Sequence, residues 1–221
     1  MHRLIKRLLV VGAHGDDETL GAGGTIAKLT DDGVSVGLCV MTNDDGSRRV
    51  NRAEAIKGAA KALGIELVEI NALGDSRLDT HGQLELNRVV ERIVQDFNPD
   101  TVFTTSMADL SVDHQMVSRA VRVACRPNRS DVRELRCFEV RSSTDTGEAL
   151  GIEPTFRPNC WQPLSEIHMD RKLEAMRAYG NEIELWPQPR SEDGIKILAK
   201  YRGSQVATDL AEAFEIVYTL L

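Results

Sequence analysis

The chain has 221 residues, of which 42% are hydrophobic and 28% are charged, a composition typical of a globular protein with a sizeable core. Its formal net charge of -7 argues against a surface that neutralises a phosphate backbone, so we expect no nucleic-acid partner. No stretch approaches the roughly 20 apolar residues of a membrane span, so we expect no membrane partner. The length favours a single domain over residues 1–221.

The cysteines and the N-terminus indicate a cellular compartment. The four cysteines are scattered and form no C-x-x-C pair, as expected for reduced thiols. Basic residues at the N-terminus precede an apolar run, but that run reaches His14 too early for the apolar core of a secretory signal. We therefore predict a cytoplasmic protein.

Strand-like and helix-like segments alternate over the first part of the chain. The patterns predict strands over Leu8–Gly12, Val34–Met41, Leu67–Ile70 and Thr101–Thr105. They predict helices over Thr19–Asp32, Arg52–Leu63, Leu84–Phe97 and His114–Cys125. This alternation is typical of βαβ units, so we expect an α/β, Rossmann-like fold with a mostly parallel sheet flanked by helices.

The alternation is lost after Leu135, which predicts a C-terminal elaboration. Ser142–Pro158 is rich in polar and turn-forming residues and is expected to be a loop, either at the mouth of a pocket or as a surface excursion. Helices are expected over Asp170–Asn181 and Gly194–Tyr201. The apolar end, Glu212–Leu221, is predicted as a helix or an edge strand that packs on the core or on a second subunit, which makes a homo-oligomer possible.

A cluster of polar side chains follows the first predicted strand. His14 and Asp17 are three residues apart at a loop-to-helix junction, where they can converge on one ion. A histidine and a carboxylate form a ligand set that suits zinc. The alternative is a hydrogen-bonded loop histidine followed by acids that the positive end of a helix dipole favours.

A second polar cluster, Asp109 to His114, follows the predicted strand Thr101–Thr105. Both clusters emerge at the same edge of a parallel sheet, so His114 is a candidate third ligand. Three protein ligands with one open position are typical of catalytic zinc, and Asp16 would then be free to act as a base. The alternative is that His114 lies at a helix start beside a capping Asp113.

Motifs along nearly the whole chain carry a family resemblance. His14–Glu18, followed by Gly21 and Gly23–Ala27, resembles the A-H-P-D-D-E signature of the PIG-L/LmbE-like family of zinc-dependent N-deacetylases. Further matches in the family's order are Thr42-Asn43, Arg52, Glu54, Ala62–Gly64, Leu73–Ser76, Asp113-His114, Arg190-Ser191, Ala199, Tyr201–Gln205 and Ala211–Phe214.

The resemblance implies roles for individual residues. It implies zinc, or Fe²⁺ as the alternative metal, held by His14, Asp17 and His114, with Asp16 as general base. It implies that Arg52 and Asp75 bind hydroxyls of a sugar or inositol, and that the substrate is a small N-acetylated sugar. Bacterial relatives commonly form oligomers, which favours a homo-oligomer.

Two residues depart from the family pattern. Gly15 replaces the usual Pro, which adds backbone freedom and predicts a more mobile metal loop. Ser111, a candidate substrate-binding residue, stands where many members have the first His of H-x-x-H, which is thought to help stabilise the oxyanion. A hydroxyl donates a hydrogen bond but carries no positive charge, and loss of such a donor typically costs about 10²–10³ in rate.

Three hypotheses about the function stay open, and Ser111 motivates the third. In the first hypothesis the protein is an amino-sugar N-deacetylase in which another hydrogen-bond donor replaces the histidine. The nearest candidate donors by loop position are Arg48, Arg77 and His81. In the second hypothesis the same site hydrolyses a non-sugar amide. In the third hypothesis the protein is an idle binding or regulatory protein on the same scaffold.

Overall fold

A computed structural model describes residues 5–43 and 51–220. Its centre is a seven-stranded sheet with the order β3-β2-β1-β4-β5-β7-β6. The strands are β1 Arg7–Gly12, β2 Ser35–Asn43, β3 Leu67–Gly74, β4 Thr101–Thr105, β5 Glu134–Phe138, β6 Cys160–Pro163 and β7 Ala211–Thr219. The first five strands pair in parallel, whereas β7 runs antiparallel to both β5 and β6.

Helices cover both faces of the sheet. They are α1 Asp17–Asp31, α2 Arg52–Leu63, α3 Gln83–Phe97, α4 Val112–Ala124, α5 Thr144–Ala149, α6 Glu166–Ala178 and α7 Glu192–Ser204, with short 3-10 helices over Leu78–Thr80 and Gly180–Glu182. Contacts of α6 with α1 and α2 build one face, and α3 packs on α4 to build the other. Within the described ranges, no helix combines the length and the apolarity that crossing a bilayer requires.

The central strand β1 explains why the sheet needs helices on both sides. All of its residues from Leu8 to Gly12 are buried. Leu8 and Val10 contribute to the core beneath α1, α2 and α6, whereas Leu9 and Val11 contribute to the core beneath α3 and α4. A strand buried on both faces has a continuous apolar sequence, as expected for a parallel sheet.

The predicted fold class is confirmed: the chain forms a mostly parallel α/β sheet flanked by helices, with a C-terminal elaboration. β5 and β6 were not predicted from the sequence. The prediction of a loop throughout Ser142–Pro158 was wrong, because α5 forms within this segment. Thr144, the buried first residue of α5, accepts a hydrogen bond from the Val140 N–H and donates one to Asp109. These tertiary hydrogen bonds stabilise the helix more than its own sequence does.

The C-terminal segment is a strand, so the helix alternative for Glu212–Leu221 was wrong. It is also not at the edge, because β7 lies between β5 and β6. Ala211–Phe214 pairs with β6, and residues 214–219 pair with β5. The β-branched and aromatic residues of this segment therefore extend the sheet.

A buried ion pair joins the elaboration to α1. Lys172 on α6 donates to Glu212 on β7 at 2.6 Å and to the Leu20 carbonyl oxygen at 2.8 Å. Glu212 also accepts hydrogen bonds from the backbone N–H groups of Gly24 and Thr25 within α1. Removing one member of such a pair leaves a buried charge without compensation.

We expect Lys172→Met to lower the free energy of unfolding by about 3–5 kcal/mol, measured by urea denaturation, because Glu212 then lacks its cation. The double variant Lys172→Met/Glu212→Gln should lose less than Lys172→Met alone. Lys28→Met, which breaks an exposed pair with Asp32, is the control and should cost at most about 1 kcal/mol. Equal losses in Lys172→Met and Lys28→Met would contradict a structural role for the buried pair.

Candidate metal centre and cleft

The two polar clusters meet between β1 and β4, where the order of the strands in the sheet changes direction. β1 and β4 are adjacent parallel strands, but the chain leaves β1 towards β2 on one side and leaves β4 towards β5 on the other. The loops after these two strands therefore part and leave a crevice at the carboxyl edge of the sheet. His14 and Asp17 follow β1, and His114 lies in the first turn of α4 after β4.

Asp17 is fixed by the turn that contains it. One carboxylate oxygen, Oδ2, accepts hydrogen bonds of 2.9 Å from the backbone N–H groups of Ala13 and His14. The other oxygen, Oδ1, lies 3.1 Å from His114 Nε2. It is buried and accepts no hydrogen bond from the residues that the structure describes, so it is available as a ligand for a cation.

The two imidazoles present one nitrogen each to the same point. His14 Nδ1 lies 3.1 Å from His114 Nε2 and 3.8 Å from Asp17 Oδ2. Ligand atoms of these three residues all lie within 4.8 Å of one another. Zinc bonds of the usual length in tetrahedral geometry place ligand atoms about 3.3–3.5 Å apart, so these side chains fit a zinc ion.

Carboxylates stand behind both imidazoles. Asp113 Oδ2 lies 3.1 Å from His14 Nε2, and Asp113 Oδ1 accepts a hydrogen bond from the backbone N–H of Leu78. Asp109 Oδ1 lies 3.0 Å from His114 Nδ1, although the two atoms are not aligned for a direct hydrogen bond. Carboxylates in these places orient histidine ligands and make them more basic.

Asp75 also contacts His14 Nε2, at 3.3 Å, and a second set of candidate ligand atoms comprises His14, Asp75 and Asp113. In this structure Asp75 therefore contacts a candidate ligand. The role predicted for it, binding substrate hydroxyls, stays a prediction.

The acids around the imidazoles make the site attractive to positive charge. Burial opposes protonation of His14, but Asp113 and Asp17 outweigh it and raise its pKa to about 10. Burial likewise opposes protonation of His114, and Asp17 and Asp109 raise its pKa well above the usual range. Burial opposes ionisation of Asp17, yet the two histidines hold its pKa well below normal. A divalent cation would supply the positive charge that these carboxylates favour.

Asp16 belongs to a closed ring of four charged side chains, which we call the charge ring: Asp16, Arg52, Glu182 and Arg190. Arg52 donates to Asp16 Oδ1 at 3.1 Å and to Glu182 Oε1 at 2.9 Å. Arg190 donates from Nη1 to Asp16 Oδ2 at 2.7 Å and to Glu182 Oε2 at 3.1 Å. The ring holds both Asp16 oxygens, so the carboxylate has a fixed orientation.

A cleft of about 230 Å³ opens over these groups. Its walls comprise His14, Asp16, Arg52, Asp75, Ser76, Ser111, His114, Ser142, Ser143, Glu182 and Arg190. Six of the seven predicted site residues line it, and the seventh, Asp17, lies beneath His114. Two of the lining serines, Ser76 and Ser142, have positive φ angles of 56° and 70°, which are unusual for residues other than glycine.

Ser111 is the N-cap of α4. Its Oγ accepts a hydrogen bond from the His114 backbone N–H, and its own N–H donates to Asp109. This capping role fixes the start of the helix that carries His114. Ser111 also lines the cleft, so its position is compatible with the predicted role in substrate binding.

Two of the three loop residues predicted as substitutes for the missing histidine lie outside the cleft. Neither Arg77 nor His81 lines the cleft, and His81 pairs with Glu85 at the start of α3. Arg48 lies outside the described residues. Glu182 and Arg190 were not predicted as site residues. Both follow α6, a helix of the elaboration, and only the folded chain brings them to Asp16.

Glu18, the last residue of the first motif, faces the core. Tyr179 and Thr19 donate hydrogen bonds to its Oε1, at 2.6 Å and 2.7 Å. Burial raises the pKa of Glu18 to about 8. Its contacts join the start of α1 to the end of α6, so its role in this structure is packing.

Ile56 on α2 fills the space beside Gly15. A Cβ atom at Gly15 would overlap Cγ1 of Ile56, which is fully buried. The branched side chain of Ile56 therefore occupies the space that a side chain at residue 15 would need. The extra mobility of this loop stays a prediction.

The chain belongs to the PIG-L family, described as GlcNAc-PI de-N-acetylase, whose sequence pattern matches residues 9–125, more than half of the chain. A curated relative, diacetylchitobiose deacetylase of Thermococcus kodakarensis, is 27% identical over 239 aligned residues, which cover 96% of this chain and 84% of the relative.

Solved structures share the fold. The zinc-inhibited form of teicoplanin deacetylase Orf2 superposes with a TM-score of 0.77 at 15% identity, covering 97% of this chain and 99% of that protein. GalB, the 4-carboxy-2-hydroxymuconate hydratase of Pseudomonas putida, superposes with a TM-score of 0.74 at 19% identity, covering 98% of each chain. At these identities the likeness is one of fold alone, and the fold serves both a deacetylase and a hydratase.

We expect Gly15→Ala to lower the free energy of unfolding by about 1–3 kcal/mol because the new methyl group overlaps Ile56. In a double-mutant cycle, Gly15→Ala/Ile56→Ala should lose less than the sum of the two single variants. Gly82→Ala, where a Cβ meets open space at the N-cap of α3, is the control and should show no coupling to Ile56→Ala. Additive losses would show that the two residues are not coupled.

We expect Asp113→Asn and Asp109→Asn each to weaken zinc binding by about 10–100-fold, because each removes a carboxylate that contacts a candidate histidine ligand. Isothermal titration of the two variants with zinc measures the change. Asp32→Asn, at an exposed carboxylate on the opposite end of α1, is the matched control. Unchanged zinc affinity in both Asp113→Asn and Asp109→Asn would contradict this role of the carboxylates.

Proposed function

We propose that this protein is a zinc-dependent N-deacetylase that hydrolyses the acetamide of an amino sugar or a small sugar conjugate. Zinc is the favoured metal, and Fe²⁺ suits the same ligand types. The observation that carries the proposal is the convergence of His14 Nδ1, His114 Nε2 and Asp17 Oδ1 beneath a cleft that also holds Asp16. Family membership supports the reaction class.

The ligand set suits catalytic zinc better than structural zinc. Three residues supply the converging atoms, and the cleft opens above them, so a fourth position would face substrate. When bound there, zinc would make a water molecule more acidic and polarise the acetamide carbonyl. His14, Asp17 and His114 would hold the ion, while Asp113 and Asp109 would fix the two imidazole rings.

Asp16 is proposed as the group that moves protons. Its carboxylate would take a proton from the attacking water and return it to the departing amine nitrogen. Arg52 and Arg190 hold its two oxygens in one orientation, and each oxygen keeps a lone pair for the proton. The released products are acetate and a free amine.

The walls of the cleft suit a polyhydroxylated substrate. Serine hydroxyls, carboxylates and guanidinium groups line it and can bind sugar hydroxyls as donors or acceptors. Arg52 and Asp75 are proposed as substrate contacts on this basis. A relative that is named as a diacetylchitobiose deacetylase supports a sugar substrate.

One observation favours a different function. Ser111 lacks the positive charge that the family's usual histidine can carry, so the chain could retain the metal and have lost catalysis. A binding protein of this kind would hold zinc and an acetylated ligand without releasing an amine. The two experiments below separate this possibility from the proposed enzyme.

The first experiment is metal analysis of the purified untagged protein. We expect about one zinc per chain in the wild type and little in Asp17→Ala or His114→Ala, because each variant removes one of three ligands. Asp32→Ala serves as the control at an exposed carboxylate. If wild-type protein supplied with zinc binds none tightly, the proposed mechanism is wrong.

The second experiment measures amine release from acetylated amino sugars and from amides with larger acyl groups. We expect acetamides to be preferred, chelation to stop the reaction, and Asp16→Asn to lower kcat by about 10²–10⁴-fold with zinc retained. Preference for large non-sugar amides would favour the amidase hypothesis. Near wild-type turnover in Asp16→Asn would show that another group is the base.

A further inference from the structure

Arg190 is anchored at two of its three guanidinium nitrogens. Nε donates to Ser142 Oγ at 2.6 Å, and Nη1 donates to Asp16 and Glu182. Nη2 makes no hydrogen bond to the residues that the structure describes. The guanidinium therefore presents one free pair of N–H donors from a position that its other contacts fix.

The structure around Ser142 fixes the hydroxyl group that Arg190 contacts. Ser142 has a positive φ of 70°, and its carbonyl oxygen accepts a hydrogen bond from Thr146 in α5. A serine in the left-handed region costs conformational energy, so the surrounding structure must hold it there. The result is a hydroxyl that faces Arg190.

A chain of contacts places Arg190 on the same side of the cleft as Ser111. The Ser111 N–H and the Ser143 hydroxyl both donate to Asp109 Oδ1, which brings residues 142–143 beside residue 111. Arg190 bonds to the first of these two serines. All of these residues except the buried Asp109 line the cleft above His114.

Arg52, the other arginine of the charge ring, is less suited to stabilise a charge that develops beside Ser111. Each of its terminal nitrogens already donates one hydrogen bond, Nη2 to Asp16 and Nη1 to Glu182, so neither offers a free pair of N–H donors. Its side chain is 8% exposed, compared with 21% for Arg190. Among the described residues that line the cleft, Arg190 is therefore the better-placed permanent cation.

We infer that Arg190 stabilises the negative charge that develops on the acetyl oxygen during hydrolysis, in place of the histidine that Ser111 replaces. The inference rests on the proposed function. Water adds to the carbonyl carbon, a C–O bond forms, and the π electron pair moves to the carbonyl oxygen, which accepts a hydrogen bond from Nη2. The C–N bond then breaks, the oxygen charge returns to the carbonyl, and nitrogen takes the proton that Asp16 received.

The test compares Arg190→Met with wild type in three measurements: zinc content, steady-state kinetics on N-acetylglucosamine, and calorimetric affinity for glucosamine N-methylphosphonamidate. The phosphonamidate is a tetrahedral anion that resembles the reacting acetyl group. We expect unchanged zinc, a kcat lowered by about 10²–10³-fold, a KM changed less than threefold, and weaker phosphonamidate binding by a factor similar to that for kcat. Arg177→Met, at an exposed arginine paired with Glu192, is the control for loss of a guanidinium.

A second variant separates charge stabilisation from support of the charge ring. Ser111→His should raise kcat by a larger factor in Arg190→Met, at least tenfold, than in the wild type, because only in Arg190→Met does the imidazolium supply a missing charge. Arg190→Lys keeps the charge without the fork geometry and should fall between wild type and Arg190→Met. Additive effects of the two substitutions would overturn the inference.

The kinetic pattern distinguishes the remaining outcomes. A change in KM alone, or equal losses of affinity for N-acetylglucosamine and for the phosphonamidate, would make Arg190 an ordinary substrate contact and overturn the inference. If wild type hydrolyses no amide, the proposed function fails, and phosphonamidate affinity then decides the role of Arg190. Retained affinity in Arg190→Met would overturn that role, whereas its loss would support an anion site at Nη2.

Discussion

The site depends on how the turn after β1 satisfies a buried carboxylate. Asp17 receives two backbone hydrogen bonds on one oxygen, and these bonds draw residues 13 and 14 around it. That arrangement leaves the second oxygen directed at His114. It also fixes the direction in which Asp16 leaves the turn, towards the arginines. A buried charge that is only half satisfied by its own turn needs a cation or a proton on the other side, and His14 and His114 meet there.

Much of the fold follows from local patterns, and the exceptions have physical reasons. β1 and β2 are buried on both faces, so continuous apolar runs identify them. β5 carries Arg136 and Glu134 on a five-residue strand, and β6 has only four residues, so neither has a clear period. α5 forms in a polar segment because Thr144 and Ser143 bond to Asp109, a contact between residues far apart in the sequence.

The candidate site likewise has residues that the sequence predicts and residues that it does not. His14, Asp17 and His114 stand next to strands whose order the alternation of elements predicts, so their convergence follows from topology. Glu182 ends a three-residue 3-10 helix and Arg190 lies in the loop before α7, and segments this short have no periodicity that indicates which side chain faces the cleft. The match of Arg190-Ser191 to the family's C-terminal pattern was the available signal, and it carried no information about a partner. Only the packing of α6 against α1 and α2 brings that segment to Asp16.

The charge ring joins two residues from the first quarter of the chain to two from its last fifth. A ribosome releases the first pair, and all three proposed metal ligands, well before the second pair exists. Domains generally fold as units, so the cleft is complete only after the C-terminal segments have been synthesised. A product that ends after α4 would carry every proposed metal ligand but neither Glu182 nor Arg190. Such a product would also lack α6, which packs on α1 and α2, so the completed cleft and one helix layer of the sheet both depend on the last segments to be synthesised.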